Sequence, residues 1–277
     1  MKKIVLPLCL LAGIVAGAQT QDGKASIAGA SSKEGKVVFE RTMQMRLPQG
    51  MSPEAAAHFP PSRTETFELL FGADQSLWRS LPKAEADQTS FSSGGTSMFR
   101  TMSSNDETYF NFTTGKRLDK REMFDKAFLV EDSVKKLSWK LTGEAKVILG
   151  QPVQKATAQR IGTRPQVSME NGEIKRTTVA DTSTIVAWFT TNFPVQAGPQ
   201  EMQGQLPGLI LELDVNNGRT VYKAVEISPK VSLSSIKEPK GGKKVTMAEY
   251  AKEQDKMMEE MQKNMPARGG NLRIVNN

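Results

Sequence analysis

Apolar side chains recur at every second position along much of this chain, in short runs that end at turn residues. From Lys36 to Leu47, residues Val37, Phe39, Met43, Met45 and Leu47 share one side, interrupted by Arg41, while Glu40, Thr42, Gln44 and Arg46 share the other. A period of two sets one face against a core and the other in water, which is a half-buried strand. Arg63–Phe71 repeats it with Phe67, Leu69 and Phe71, and Ser76–Leu81 returns with Leu77 and Trp78 after the turn Gly72-Ala73-Asp74. Ser97–Met102 and Glu107–Thr114 read as a hairpin about Ser104-Asn105-Asp106. The segment carrying Phe124, Phe128 and Val130 is less regular and reads as a link.

Leu137, Trp139 and Leu141 alternate with Ser138, Lys140 and Thr142, and the run continues to Leu149. Gly150-Gln151-Pro152 turns it into Val153–Arg160. Residues 162–182 are polar around Asn171-Gly172, a strong hairpin turn signal. Thr184–Thr190 reads as a buried strand. Leu206–Val215 and Thr220–Ile227 pair about Asn216-Asn217-Gly218. Strands do not alternate with helical segments here, which argues against a Rossmann or TIM architecture. The fold class expected is mainly β, a curved antiparallel sheet or partial barrel with a C-terminal amphipathic helix.

That helix is announced by the capping box Thr246-x-x-Glu249. Met247, Tyr250, Met257, Met258, Met261 and Met265 fall near one face, and Pro266 ends it. Thioethers suit Cu(I), but methionine more commonly fills apolar surface, so this face reads as one that docks on the sheet or on a partner. Ser52-Pro53 begins a single helical turn.

The N-terminus constrains location. Met1-Lys2-Lys3 is a positive leader, Ile4–Val15 is apolar, and Ala16-Gly17-Ala18 is a cleavage pattern. Residues 1–18 are read as a signal peptide cut after Ala18, which implies a place outside the cytoplasm, in the periplasm, extracellular or on the cell envelope. The apolar run is short of the roughly 20 residues that span a bilayer, and no later segment is apolar enough. Residues 19–35 read as a flexible leader, 36–236 as an antiparallel β domain, and 237–277 as a basic linker, amphipathic helix and loose tail.

Cys9, the single cysteine, leaves with the leader, so the mature chain has neither disulfide nor thiolate chemistry. His58 is the single histidine and sits in a Pro-rich loop, which leaves the common zinc sites without ligands. Gly241-Gly242-Lys243-Lys244 lacks the spacing of a phosphate loop. Loss of Lys2 and Lys3 takes the net charge from +7 to +5, spread along the chain, which defines no nucleic-acid site. No cofactor or metal site is read from these residues. Asp132-Ser133-Val134 resembles the O-glycosylation acceptor of Bacteroidota, with Ser133 as the acceptor.

Gly204-Gln205-Leu206-Pro207-Gly208-Leu209-Ile210-Leu211 resembles the signature of the GLPGLI family, exported proteins found largely in Bacteroidota whose function is not established. Trp139-Lys140-Leu141-Thr142-Gly143-Glu144, Lys155-Ala156, Ala187-Trp188-Phe189-Thr190, Pro194 and Gly198-Pro199 follow the family's order. Two departures stand out. Gln205 separates the first Gly from Leu206, and Val153 stands where the family often has a cysteine. The resemblance implies an exported β-rich protein and supplies no activity. Read from the residues, Pro207 extends Leu206, and Gly208 takes a turn or bulge geometry that re-aims a core strand through Leu209 and Ile210.

The function expected is that of an exported, non-catalytic binding or accessory protein of the cell envelope, holding an apolar ligand on a concave sheet. The alternative is an interaction module that docks an envelope partner through its Met-rich helix. An enzyme of unrecognised type ranks third.

Overall fold

The computed structural model describes residues 32–45, 53–58, 60–81, 106–123, 126–170 and 173–264. Side chains at 55–56, 164–176, 178, 258 and 261–264 lie outside that description, as do the residues expected to form a strand at 97–102.

Among the described residues, twelve strands form one sheet. They are β1 (Gly35–Gln44), β2 (Ser62–Phe71), β3 (Gln75–Leu81), β4 (Glu107–Asn111), β5 (Lys116–Met123) and β6 (Lys126–Ser133). The second half supplies β7 (Lys140–Ile148), β8 (Gln151–Glu170), β9 (Glu173–Thr190), β10 (Leu209–Val215), β11 (Thr220–Ser228) and β12 (Lys243–Thr246). The order is β12-β6-β5-β4-β3-β2-β1-β11-β10-β9-β8-β7. Two meanders, β1–β6 and β7–β11, therefore join where β1 pairs with β11. Pairing is antiparallel throughout except at β12, which lies parallel to β6. The sheet is open and mixed, not closed into a barrel. Helix α1 (Pro53–Ala57) is the expected single turn. Helix α2 (Met247–Asn264) follows β12.

The link from β6 to β7 bends this sheet. It runs from Ser133 to Lys140 and spans at most about 25 Å. Laid flat, β6 and β7 would stand ten strand spacings apart, about 48 Å. The sheet must curl until its two ends approach, with the link across the mouth.

The inner face of the curl holds the main core: Val37 and Phe39 of β1, Phe67, Leu69 and Phe71 of β2, Trp78 of β3, Ile185, Ala187 and Phe189 of β9, and Tyr222 of β11. Trp78 stacks on Phe67 with ring centroids 5.0 Å apart and meets Phe39 at 5.4 Å. A smaller cluster on the opposite face, Leu70, Leu77, Tyr109 and Leu118, is covered by Ile236 and Val231 as the chain returns toward the β6 edge. There α2 lays Tyr250 and Met257, with Met247 alongside, against Met123, Phe128 and Val130 of the chain's own sheet. The capping box forms as read. The Thr246 N–H donates to Glu249 Oε2 at 2.7 Å, and the Glu249 N–H donates to Thr246 Oγ1 at 3.2 Å.

Two segments differ from their reading. Phe128 and Val130, read as part of a link, lie on β6, which pairs with β5, and Phe124 lies outside the described residues. The polar residues 162–170 and 173–182 lie on β8 and β9, on either side of the turn read at Asn171-Gly172, which itself lies outside the described residues; the strands pair from Gln154–Phe189 out to Glu170–Glu173 as a long ribbon.

Candidate functional site

The inner face is not vacant. Between β9 and β10 the chain folds back over it and buries Phe193, Val195, Ala197, Met202 and Leu206 in the main core. These side chains form a plug. An apolar ligand on this face would have to take their place.

The signature residues anchor that plug. Leu206, Gly208, Leu209, Ile210 and Leu211 are buried, and Pro207 is exposed. A Cβ on Gly208 would lie 2.3 Å from the Thr190 carbonyl oxygen, so this position admits no side chain while β10 stays on β9. The bulge expected at Gly208 lies further on. Ile210 faces Phe189 and Glu212 faces Trp188, which leaves Leu211 as the extra residue. That bulge lets three consecutive apolar residues be buried on one strand. A Cβ on Gly198 would meet Ile210 Cδ1 at 2.8 Å. A Cβ on Gly204, at φ +75°, would meet the Phe110 ring at 2.6 Å.

Gln205, the residue inserted into the signature, clasps the β6–β7 link. Its Oε1 accepts from the Leu137 N–H at 3.0 Å and from the Trp139 indole N–H at 3.3 Å, and its Nε2 donates to the Lys135 carbonyl at 3.0 Å. Lys136 Nζ donates to the Gly204 carbonyl. Gln205→Ala removes three bonds and strands the Leu137 N–H. It is expected to cost about 2 kcal/mol, read as a lower urea midpoint with an unchanged slope.

A polar network fastens the plug's short 3-10 turn, Gln200–Met202, to the sheet. The Tyr222 hydroxyl donates to Gln200 Oε1 at 2.6 Å. Ser76 Oγ donates to the fully buried Gln203, whose Nε2 donates to the Gln200 carbonyl at 3.2 Å. Arg160 pairs with Glu201 at 2.7 Å. Arg41 pairs with Glu65 and lies 4.6 Å over the Phe67 ring, with its Nε buried and unbonded. Burial pushes the Tyr222 hydroxyl up to about 12 against the pull of Arg41. Tyr222 therefore keeps its proton at neutral pH and acts as a donor.

The other residues singled out from sequence fall elsewhere. Ser133 is exposed at the end of β6, and its N–H donates to Asp132 Oδ1 at 2.8 Å. It borders an open cleft of about 600 Å³ shared with Lys116, Glu131 and Thr246. Half of the proposed docking face, Met247, Tyr250 and Met257, lies against the chain's own sheet. The side chains of Met258 and Met261, and all of Met265, lie outside the described residues. His58 is exposed after α1. Among the described residues no three His, Cys, Asp or Glu side chains are grouped to hold a metal, and no helix is long and apolar enough to cross a membrane.

The surface that sequence reading missed is the β7–β9 end of the sheet. Leu141 and Val147 on β7 are 64% and 69% exposed. Ile161 on β8 is 81% exposed, and Thr163, Ala180 and Thr182 are exposed around it. The β7 register ends at Thr157 and the β10 register at Ile185. Past those points the ribbon has no described strand on either side. It projects for about 37 Å at the rise of an antiparallel strand.

A family model described as a protein of unknown function (Porph_ging) matches residues 139–212. It is the GLPGLI-type family, and the match covers about a quarter of the chain. No curated protein matches. Two solved structures of PNGF-II are similar. The one in the P21 space group has 16% identity and a TM-score of 0.48, covering 80% of this chain and 33% of that one. The one in the C2 space group has 17% identity and a TM-score of 0.46, covering 79% and 32%. The chain thus spans about a third of the length of the structures it matches.

Proposed function

We propose that this is an exported, non-catalytic accessory protein of the cell envelope that works by protein contact at the β7–β9 end of its sheet. The observation that supports the reading most is the ribbon. A two-stranded ribbon is marginally stable alone in water and gains stability from a third strand or a packed face. Here the ribbon carries Ile161 outward, beside a β7 edge that also exposes Leu141 and Val147. Exposed apolar residues gathered at one end of a sheet mark a contact surface better than scattered ones do. The plug on the inner face shifts the weight from ligand storage toward this outer surface. Export rests on the leader read at residues 1–18.

A photo-cross-linking residue at Ile161, in the full chain expressed with its own leader in its host, tests both parts. The expected product is a chain beginning at Gln19, found outside the cytoplasm and joined to one defined protein. The same residue at Val225, which is 43% exposed away from the ribbon, should give none. Retention of the leader in the cytoplasm would sink the export claim, and equal labelling from both positions would sink the contact claim.

A further inference from the structure

Sheet edges expose unpaired backbone groups, and proteins guard them with proline, bulges, lysines or a covering element. The edge at β6 is covered by β12. The edge at β7 carries Lys140, Lys146 and a bulge between Leu141 and Ala145. The outer edge of β8 carries Pro165, which has no N–H to offer and is tolerated in a strand only where that position faces outward. The outer edge of β9 from Glu173 to Thr184 has neither proline nor glycine and is rich in β-branched residues. Among the described residues no strand covers it before Ile185.

We propose that this edge pairs with the same edge of a second copy of the chain, antiparallel, about a two-fold axis at Thr178. The inference rests on reading the ribbon as a contact surface and names its partner. The sequence of the edge is self-complementary in that register. Thr178 stands opposite Thr178 of the second copy, Thr177 opposite Val179, Arg176 opposite Ala180, Lys175 opposite Asp181, Ile174 opposite Thr182 and Glu173 opposite Ser183. The two-fold axis makes every pair off the axis twice, so Lys175 stands opposite Asp181 at two positions and no residues of like charge stand opposite each other. Centring the axis on Thr177 instead sets Glu173 against Asp181. Centring it on Val179 leaves Lys175 against Ser183. Asp181 already accepts from Ser183 Oγ at 3.1 Å, and a carboxylate has capacity for further donors. The pairing gives each ribbon its third strand and stops where the turn after β10 begins, since the Asn216 N–H is bonded to the Thr184 carbonyl.

The mature chain lacks cysteine, so a single introduced thiol reports on the axis. Residues directly opposite in an antiparallel pair have Cα atoms about 4.5–5.5 Å apart, within disulfide reach. In the purified mature chain, Thr178→Cys should form a disulfide-linked dimer about tenfold faster than Thr182→Cys, which lies on the same strand but not opposite itself. Asp181→Lys should weaken the dimer about tenfold in sedimentation, and adding Lys175→Asp should restore it. Equal cross-linking at 178 and 182, or a chain that sediments as a monomer at every concentration, overturns the pairing. Either result leaves the contact reading to the Ile161 cross-link.

Discussion

Gly208→Val is expected to lower the melting temperature by roughly 10 °C. The reason is backbone geometry. An added Cβ would stand 2.3 Å from the Thr190 carbonyl oxygen and 2.9 Å from its carbon. Neither atom is the end of a flexible side chain. Thr190 is paired with Leu209 across β9–β10, so relief of the clash must push β10 off β9 at the point where the plug returns to the sheet. Overpacking a well-filled site costs about 1–3 kcal/mol, and here the first strand pairs are lost as well. Gly204 meets a softer obstacle, because the Phe110 ring can tilt. Thermal unfolding of Gly208→Val by circular dichroism checks the expectation. An unchanged transition with lost partner binding would make Gly208 a contact residue instead of a packing one.

Why the strands were legible and the ribbon was not follows from where apolar residues fall. β1, β2, β9 and β10 bury one face against the core, so their sequences alternate or run apolar, and the turn at Asn216-Asn217-Gly218 adopts positive φ throughout as its residues suggest. β5 was not legible, because Leu118 is the one apolar residue between Lys116 and Glu122 and sets no alternation. In the fold Asp119 is 3% exposed and held by both arginines. The outer ribbon was not legible either. Its described side chains, at 161–163, 177 and 179–182, are exposed or half-buried, so burial imposes no period there, and its strand character comes from the pairing of β8 with β9. The signature was read as a turn or bulge that re-aims a core strand. Its main contacts are with Thr190, Ala197, Phe110 and Leu137, which lie elsewhere in the chain and are brought close by strand pairing and the curl. Gln205 carried no signal of its own, since a glutamine beside a glycine looks like loop until the link it clasps is in place.

The pieces of the family pattern make sense together on this view. Trp139 and the residues before it are tied to Gln205, the Ala187–Thr190 strand sets how close Gly208 must come, and Gly198 gives Ile210 room. They are the parts of one closure, in which a plug fills the inner face and a short link locks it.

Asp119→Asn is expected to cost about 3 kcal/mol at neutral pH. Asp119 accepts from Arg117 Nε at 3.0 Å, from Arg117 Nη2 at 2.5 Å and from Arg121 Nη2 at 3.0 Å. An asparagine keeps the shape but removes the charge and turns an amide N–H₂ toward guanidinium donors. Arg117, with its side chain 12% exposed, is then buried with little compensation. Arg121 also lies 5.2 Å over the Tyr250 ring, so its loosening reaches α2. The effect should depend on pH in a defined direction. Burial raises the Asp119 carboxyl, but its bonds and charge attraction to Arg117 and Arg121 outweigh that and hold it below the usual carboxylate range. Its stabilisation is therefore complete above the unfolded value near 3.9 and is lost as pH falls from there through the lowered folded value. Asp106 works the other way. Burial raises its carboxyl, so its contribution is lost as pH rises through that raised value and is present in acid. Urea unfolding of wild type and variant at pH 7 and at pH values stepping down from 4 separates the two. The gap between the proteins should be widest at neutral pH and close in acid, while the Asp106 contribution is common to both. A gap that stays constant into acid would mean that the carboxylate at 119 is not what holds the two arginines.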